Sequence, residues 1–392
     1  MRLIRTVLAV VLLVTSSTVP VGAVAAATQE GEAYAGTHVE FETASNAIVD
    51  YSVNGETVFK SVQLQSQSNA ESQGDVRAGA SLSAVTELTG AALSLDSQTE
   101  VTATVTAESG AQMQAHDNSR GILVIQSSGD SQYVTVNVSS ASQVDSESDQ
   151  RVVVTTEDGT EGTFLVVGDG QVAVNDRGDV SAQLGSNSTL VFRAYPEERD
   201  DGDQQQEQLI SEGKTVAEVY VMESSEQGSE FATDVVQYSE DTTVEVTQQT
   251  RGTVTMTADR SQERGKIILT SVSEQAISSV EDLQVTVDGE AAAQASSYNE
   301  LESAANNGDT SKFLVHQQSS AQASADILVA VNHFSSREVT ISNSSNDSNA
   351  SGGSNSDGSD GDQEATGADG PGFGPIVTLF ALVAAFGLAR RQ

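Results

Sequence analysis

The chain has 392 residues, with 18 Lys plus Arg against 56 Asp plus Glu, a net charge of −38, no Cys, no Trp and four His. The lack of cysteine excludes a disulfide scaffold, a thiolate zinc site and a cysteine nucleophile. So acidic a surface repels a polyphosphate, which makes nucleic acid a poor partner, and none is expected.

Taken in chain order, Arg2 and Arg5 precede an apolar run at 7–14, followed by small neutral residues up to 27. A run that short cannot span a bilayer, so the pattern predicts a secretory signal over 1–27, cut after Ala27. Ala23 ends a rival cleavage motif, and a buried N-terminal strand is the alternative reading.

Period-two alternation dominates the body. Val101, Ala103 and Val105 alternate with threonines, and Val134, Val136 and Val138 repeat the form, as do Leu283, Val285 and Val287. Such segments predict strands with one buried and one wet face. The dipeptides Asn54-Gly55, Asp158-Gly159, Asp169-Gly170 and Asp288-Gly289 predict turns, with Asp158-Gly159 closing a hairpin. The apolar runs at 122–125 and 267–269 predict strands buried on both faces. Two short helices are expected. The first, at 203–212, is stopped by Gly213; the second, at 297–307, opens on a Ser297/Glu300 capping box and ends before Gly308.

The expected fold is therefore mainly β: one or two antiparallel β-sandwich or barrel-like domains, at 28–197 and 198–341, with two short helices. Gly55-Glu56-Thr57-Val58 recurs as Gly213-Lys214-Thr215-Val216, Arg120-Gly121 as Arg264-Gly265, and Phe164-Leu165-Val166 as Phe313-Leu314-Val315. The order is kept, which raises a weak duplication as one reading and chance matching as the other.

Residues 342–370 follow, in which Ser, Asn, Gly and Asp make up 23 of 29 positions. Nothing there can offset the entropy of ordering the chain, so a disordered stalk is expected. Beyond it, Pro371-Gly372-Phe373 opens a 17-residue uncharged stretch from position 373 to 389, closed by Arg390-Arg391. The stretch predicts a hydrophobic helix at the short end for a membrane span, with Arg390 and Arg391 stopping it on the cytoplasmic side. The tripeptide, the apolar stretch and the basic end, after an acidic Ser-rich spacer, resemble the PGF-CTERM sorting signal of archaeal surface proteins. That resemblance implies processing by an archaeosortase at Pro371, Gly372 and Phe373 and attachment of a lipid, in place of an uncut transmembrane tail.

Outside the two ends the chain keeps 14 basic against 56 acidic groups. Self-repulsion of that size is relieved at about 1 M salt, where the Debye length is only ~3 Å. With the archaeal signal, this points to a haloarchaeal cell surface.

Candidate chemistry is sparse. His38, His116, His316 and His333 show no ligand spacing, and only a hairpin would bring His316 and His333 together, which nothing in the sequence marks. Gly168-Asp169-Gly170 and the Asp357–Asp362 run invite a calcium reading but lack the order of a calcium loop, and a hairpin turn and a solvated linker suit them better. No cofactor site and no catalytic motif is legible. Asn137, Asn187, Asn343, Asn346 and Asn349 head Asn-x-Ser/Thr sequons, candidate N-glycan sites in an exported chain. The expected role is non-enzymatic: a glycosylated, surface-anchored protein with a structural or adhesive task among cell-envelope components. A tethered solute- or polymer-binding receptor is the alternative, and an Asp/Glu-dependent extracellular hydrolase a more distant one.

Overall fold

In the strand Val39–Ala44, Val39 and Phe41 turn inward while Glu40 and Glu42 stay in water. That alternation lets a sheet bury one face while its ladder satisfies the backbone. The computed structural model describes residues 32–138, 143–223, 231–273, 275–277, 279–280, 282–317 and 324–343. The expected signal with Ala27, the stalk beyond Asn343, and the tail with its hydrophobic helix lie outside these residues.

The first half is a sandwich of two wholly antiparallel sheets. One runs in the order Ala33–Ala35, Val39–Ala44, Ala47–Val53, Glu56–Ser66, Gln132–Val138, Val180–Leu184, Gly170–Val174. The other is ordered Gln143–Ser148, Arg151–Thr155, Glu161–Val167, Thr189–Tyr195, Leu123–Gln126, Gln112–His116, Thr102–Ala107, Leu93–Gln98. Their inner faces share one core, in which Tyr51 and Phe59 stack at 4.6 Å and Phe192 of the facing sheet meets Phe59 edge-on at 5.2 Å. The Asp158-Gly159 hairpin forms as expected, pairing Arg151 with Leu165 and Thr155 with Glu161. Asn54-Gly55 and Asp288-Gly289 each adopt two successive positive φ angles, which the tight hairpin turn requires.

Asp169-Gly170 behaves otherwise. The strand before it, Glu161–Val167, lies in the eight-stranded sheet, and the strand after it, Gly170–Val174, lies in the seven-stranded one. The segment carries the chain between sheets and is not a hairpin turn.

The second half pairs a six-stranded sheet, ordered Phe231–Gln237, Thr215–Glu223, Arg264–Ser273, Ser324–His333, Lys312–Gln317, Ala293–Gln294, with a five-stranded one. The latter is ordered Thr242–Thr250, Thr253–Arg260, Ser336–Asn343, Leu283–Val287, Glu290–Ala291. The six-stranded sheet is mixed: Thr215–Glu223 runs parallel to Arg264–Ser273, and Ala293–Gln294 parallel to Lys312–Gln317. A parallel pair needs a long crossover, and the excursion through Thr242–Thr250 and Thr253–Arg260 supplies the first of them.

Among the described residues three α-helices decorate the sheets: α1 (Gln67–Gln73), α2 (Asp201–Ser211) and α3 (Tyr298–Asn307). α3 lays Leu301, Ala304 and Ala305 on Ile267, Leu269 and Leu328. The six-stranded sheet is thus covered on both faces, and Ile267, Ile268 and Leu269 are all buried. Ile122 to Ile125 are likewise buried, because Leu123 and Ile125 face the first core while Ile122 and Val124 face the second half.

α1 was not expected. Its sequence is polar, Ala70 alone is buried, and the left-handed Gly74 ends it. α2 starts two residues earlier than expected, because Asp200 and Asp203 cap each other's backbone N–H groups at 2.8 and 3.2 Å. In α3 half of the expected capping box forms. Ser297 Oγ accepts from the Glu300 N–H, but the Glu300 carboxylate reaches back to Ser296 instead. The final strand, Ser336–Asn343, takes in two residues expected in the stalk, since Ser342 and Asn343 pair with Gln284 and Leu283.

The segments matched in the duplication occupy different settings. Glu56–Ser66 and Glu161–Val167 lie in separate sheets, whereas Thr215–Glu223 and Lys312–Gln317 share one.

Candidate functional site

An acid in the middle of a strand buried on both faces must find a partner, because desolvating an unpaired carboxylate costs far more than a fold can offset. Glu218, Asp234 and Asp326 are three buried acids, each at most 1% exposed, on three of the strands of the six-stranded sheet. Their basic partners, His116, Arg120 and Arg193, come from the first half.

Arg120 Nη2 lies 2.8 Å from Asp326 Oδ2 and 3.1 Å from Asp203 Oδ1. Arg193 Nε lies 3.3 Å from Glu218 Oε1, and its Nη2 donates to Gln206 Oε1 at 3.3 Å. Gln206 Nε2 in turn donates to Asp326 at 3.0 Å, which closes the circuit. The Tyr220 and Tyr238 hydroxyls donate to the two oxygens of Glu218 at 2.5 and 2.7 Å. Both guanidinium groups lie over the ring of Tyr195, at 5.2 and 5.8 Å.

At one end of this joint His116 Nδ1 meets Asp234 Oδ1 at 2.8 Å, and Asn118 donates to Asp234 Oδ2 at 2.8 Å. At the other end Glu207 of α2 accepts from Tyr195 at 2.5 Å, from Thr163 at 2.8 Å and from Arg199 Nε at 2.7 Å, with Arg151 at 3.2 Å. Four of the chain's 18 cationic residues, Arg120, Arg151, Arg193 and Arg199, are therefore concentrated here.

Burial alone would push the Asp326 carboxyl up, but Arg120, Gln206 and Arg193 together hold it below the usual carboxylate range. Glu207 is likewise raised by burial and brought below its ordinary value by Arg199, Tyr195 and Thr163. Arg120 is drawn down by burial yet stays above its ordinary value through Asp326. The carboxylates are thus ionised partners of permanently charged arginines.

The His116–Asp234 pair has the geometry that orients a catalytic base. Its side chains are 3% and 1% exposed, however, and those of Arg120, Arg193, Glu218 and Asp326 at most 2%. A substrate reaches none of them without separating the halves. The joint is holding machinery.

Where the seam opens to solvent it leaves a cleft of about 590 Å³, within the ~300–1,000 Å³ typical of small-ligand sites. Gln126, Gln150 and Asn187 line it from the first half, and Glu212, Thr215 and Lys266 from the second. Lys266 Nζ donates to the Gly213 carbonyl, and burial, with Arg260 and Arg264 nearby, lowers its pKa.

The residues singled out in the sequence fall largely elsewhere. Asn137 is an exposed side chain on an inner strand, and Asn187 is exposed in a turn at the cleft. Asn343 is 5% exposed and its Nδ2 donates to the Ser279 carbonyl at 2.7 Å, which closes it as a glycan acceptor in the folded chain. His316 pairs with Asp326 and His333 with Arg264, so the two histidines do not meet across a hairpin. His38 Nδ1 contacts Asn54 at 2.8 Å. Among the described residues no group of three or more His, Asp or Glu is placed to hold a metal. Asn346, Asn349, the Asp357–Asp362 run, Pro371, Gly372, Phe373, Arg390 and Arg391 lie outside the described residues.

Sequence reasoning missed the joint. Its one signal was the lone acid inside an apolar strand: Glu218 between Ala217 and Val219, and Asp326 between Ala325 and Ile327.

Residues 370–392 match the PGF-CTERM motif. A search of curated proteins finds no match. Among solved structures, a mutant of a glycoside hydrolase family 81 enzyme from Clostridium thermocellum superposes with a TM-score of 0.34 at 10% identity. The alignment takes in 80% of this chain and 35% of that one, so this chain spans about a third of that enzyme. The motif marks an archaeosortase-processed protein, exported and anchored at the cell surface through its C-terminus.

Proposed function

We propose that the protein is a non-enzymatic structural or adhesive element of a halophilic cell envelope. In this reading two β-rich domains, 28–197 and 198–341, are welded into one stiff body and carried on an acidic stalk above the lipid anchor. The buried Arg120–Asp326 and Arg193–Glu218 pairs support it, because a joint with charges that deep cannot hinge open without exposing unpaired ions to an apolar seam. Cells lacking the gene are expected to lose surface attachment or envelope integrity, and restoring the full chain should recover both. Unchanged attachment and unchanged envelope integrity in the deletion strain would sink the proposal.

The seam cleft favours a second reading, a tethered receptor for a polar solute. Its measurement is equilibrium binding of neutral sugars and polyols to the purified body. Saturable binding lost in Lys266→Ala would favour it over the structural role.

A further inference from the structure

We infer that Asn187 carries an N-linked glycan whose first sugars lie in the seam cleft and bridge the two halves. The inference rests on export alone and needs neither the adhesive role nor a captured solute.

Asn187 heads the sequon Asn187-Ser188-Thr189 and sits at φ +57° in the turn before the strand Thr189–Tyr195. Asparagine tolerates that left-handed backbone better than most side chains. Its Oδ1 accepts from the Gly129 N–H at 3.4 Å, while Nδ2 has no hydrogen-bond partner among the described residues. The nitrogen that would carry the sugar is thus the free atom, on an exposed side chain that itself lines the cleft. Asn343, by contrast, uses its Nδ2 internally.

The cleft matches a neutral polyhydroxylated occupant. Gln126 and Gln150 offer amide donors and acceptors, Lys266 a cation, and Glu212 and Glu240 carboxylates. Thr215 is 1% exposed, lines the cleft, and its Oγ1 has no partner among the described residues. A buried hydroxyl left without a partner is the kind of group that a ligand hydroxyl satisfies. Three carboxylates, counting Asp241, against one lysine disfavour an anion in the same place.

The attachment is a glycosyl transfer from an activated glycosyl phosphate. Asn187 Nδ2 attacks C1, a C–N bond forms, the C1–O bond breaks, the phosphate leaves with the electron pair, and Nδ2 releases one proton. Glu212, Gly213 and Thr215 line the same cleft from the second half, so a sugar that fills it from Asn187 touches both halves at once.

The test compares full-length protein purified from a haloarchaeal host with the same chain made in a bacterium lacking N-glycosylation, both in molar salt. Mass spectrometry of the peptide containing Asn187 should find it glycosylated in the first preparation. Asn187→Gln should then lower the melting temperature of the host-made protein by ~2 °C or more beyond its effect on the bacterial protein, for a fold of this size. The bacterial protein separates loss of the sugar from backbone strain at the substituted turn. An unmodified Asn187 in the exported protein overturns the inference. So does an equal melting shift in the two preparations, since the sugar would then lie outside the cleft.

Discussion

Arg120 shows at residue scale what the seam depends on. Truncating it leaves Asp326 and Asp203 buried without their cation, and breaking a buried pair in this way costs about 3–5 kcal/mol. Replacing Arg120 and Asp326 together by methionine and leucine should cost less, because Asp203 alone is then left without its cation. A double-mutant cycle by chemical denaturation in molar salt measures the coupling, and additive costs would refute it. The same carboxylates set a pH dependence. Asp326 and Glu207 titrate below their ordinary values in the folded protein, so on acidification the unfolded chain takes up protons first. Their contribution is fully present above the unfolded value of about 4 and is lost as pH falls through the lower folded values. Denaturation midpoints should be steady from pH 6 to 5 and drop below 4, and Asp326→Asn should flatten that drop.

At the scale of elements, α2 is the strut between the halves. It brings Asp203, Gln206 and Glu207 to the joint with Leu209 and Ile210 beneath. Its second residue, Gly202, is forced by packing: a Cβ there would stand 2.2 Å from His316 Cε1. Alanine is the better helix former, yet Gly202→Ala should destabilise by about 1–3 kcal/mol, the usual cost of overpacking. Because the clash is with one ring, adding His316→Ser should recover most of the loss in a thermal melt. The helices also show how legible such elements were. α3 was readable because Tyr298, Leu301 and Ala305 repeat at helical spacing behind Ser297. α1 was not, since its seven residues carry no apolar stripe and it rests on neighbours from Val76 to Tyr133.

For the whole molecule, charge acts on two levels. The surface acids repel one another and are screened by salt, whereas the seam pairs are buried and hardly screened. Lowering salt from molar to 0.1 M, where the Debye length is about 10 Å, should therefore lower the melting temperature. Both halves should melt in one transition, because Ile122, Val124 and Val191 of the first half share a cluster with Tyr220, Val236 and Tyr238 of the second. Two separated transitions, or a melting point indifferent to salt, would count against this picture. The tail makes its own prediction. If Pro371, Gly372 and Phe373 direct processing, changing all three to alanine should leave export intact but retain residues 374–392 and prevent lipid attachment, as C-terminal mass spectrometry would show.

Composition and local pattern were enough for the features that depend on neighbours in the chain. Alternating valines and threonines specified strands, Asn54-Gly55 and Asp158-Gly159 specified hairpins, and the ordered tripeptide, apolar stretch and arginines specified the anchor. Each follows from backbone geometry or from contiguous hydrophobicity, which a linear sequence displays. The parallel pairing of Thr215–Glu223 with Arg264–Ser273 and the course of Asp169-Gly170 from sheet to sheet were decided by tertiary structure. So was the joint, where Arg120 and Asp326 stand 206 positions apart. A charge in the chain carries no mark of the partner that will neutralise it. That choice is made only when two apolar faces close and desolvation leaves each buried acid no alternative to the arginine opposite.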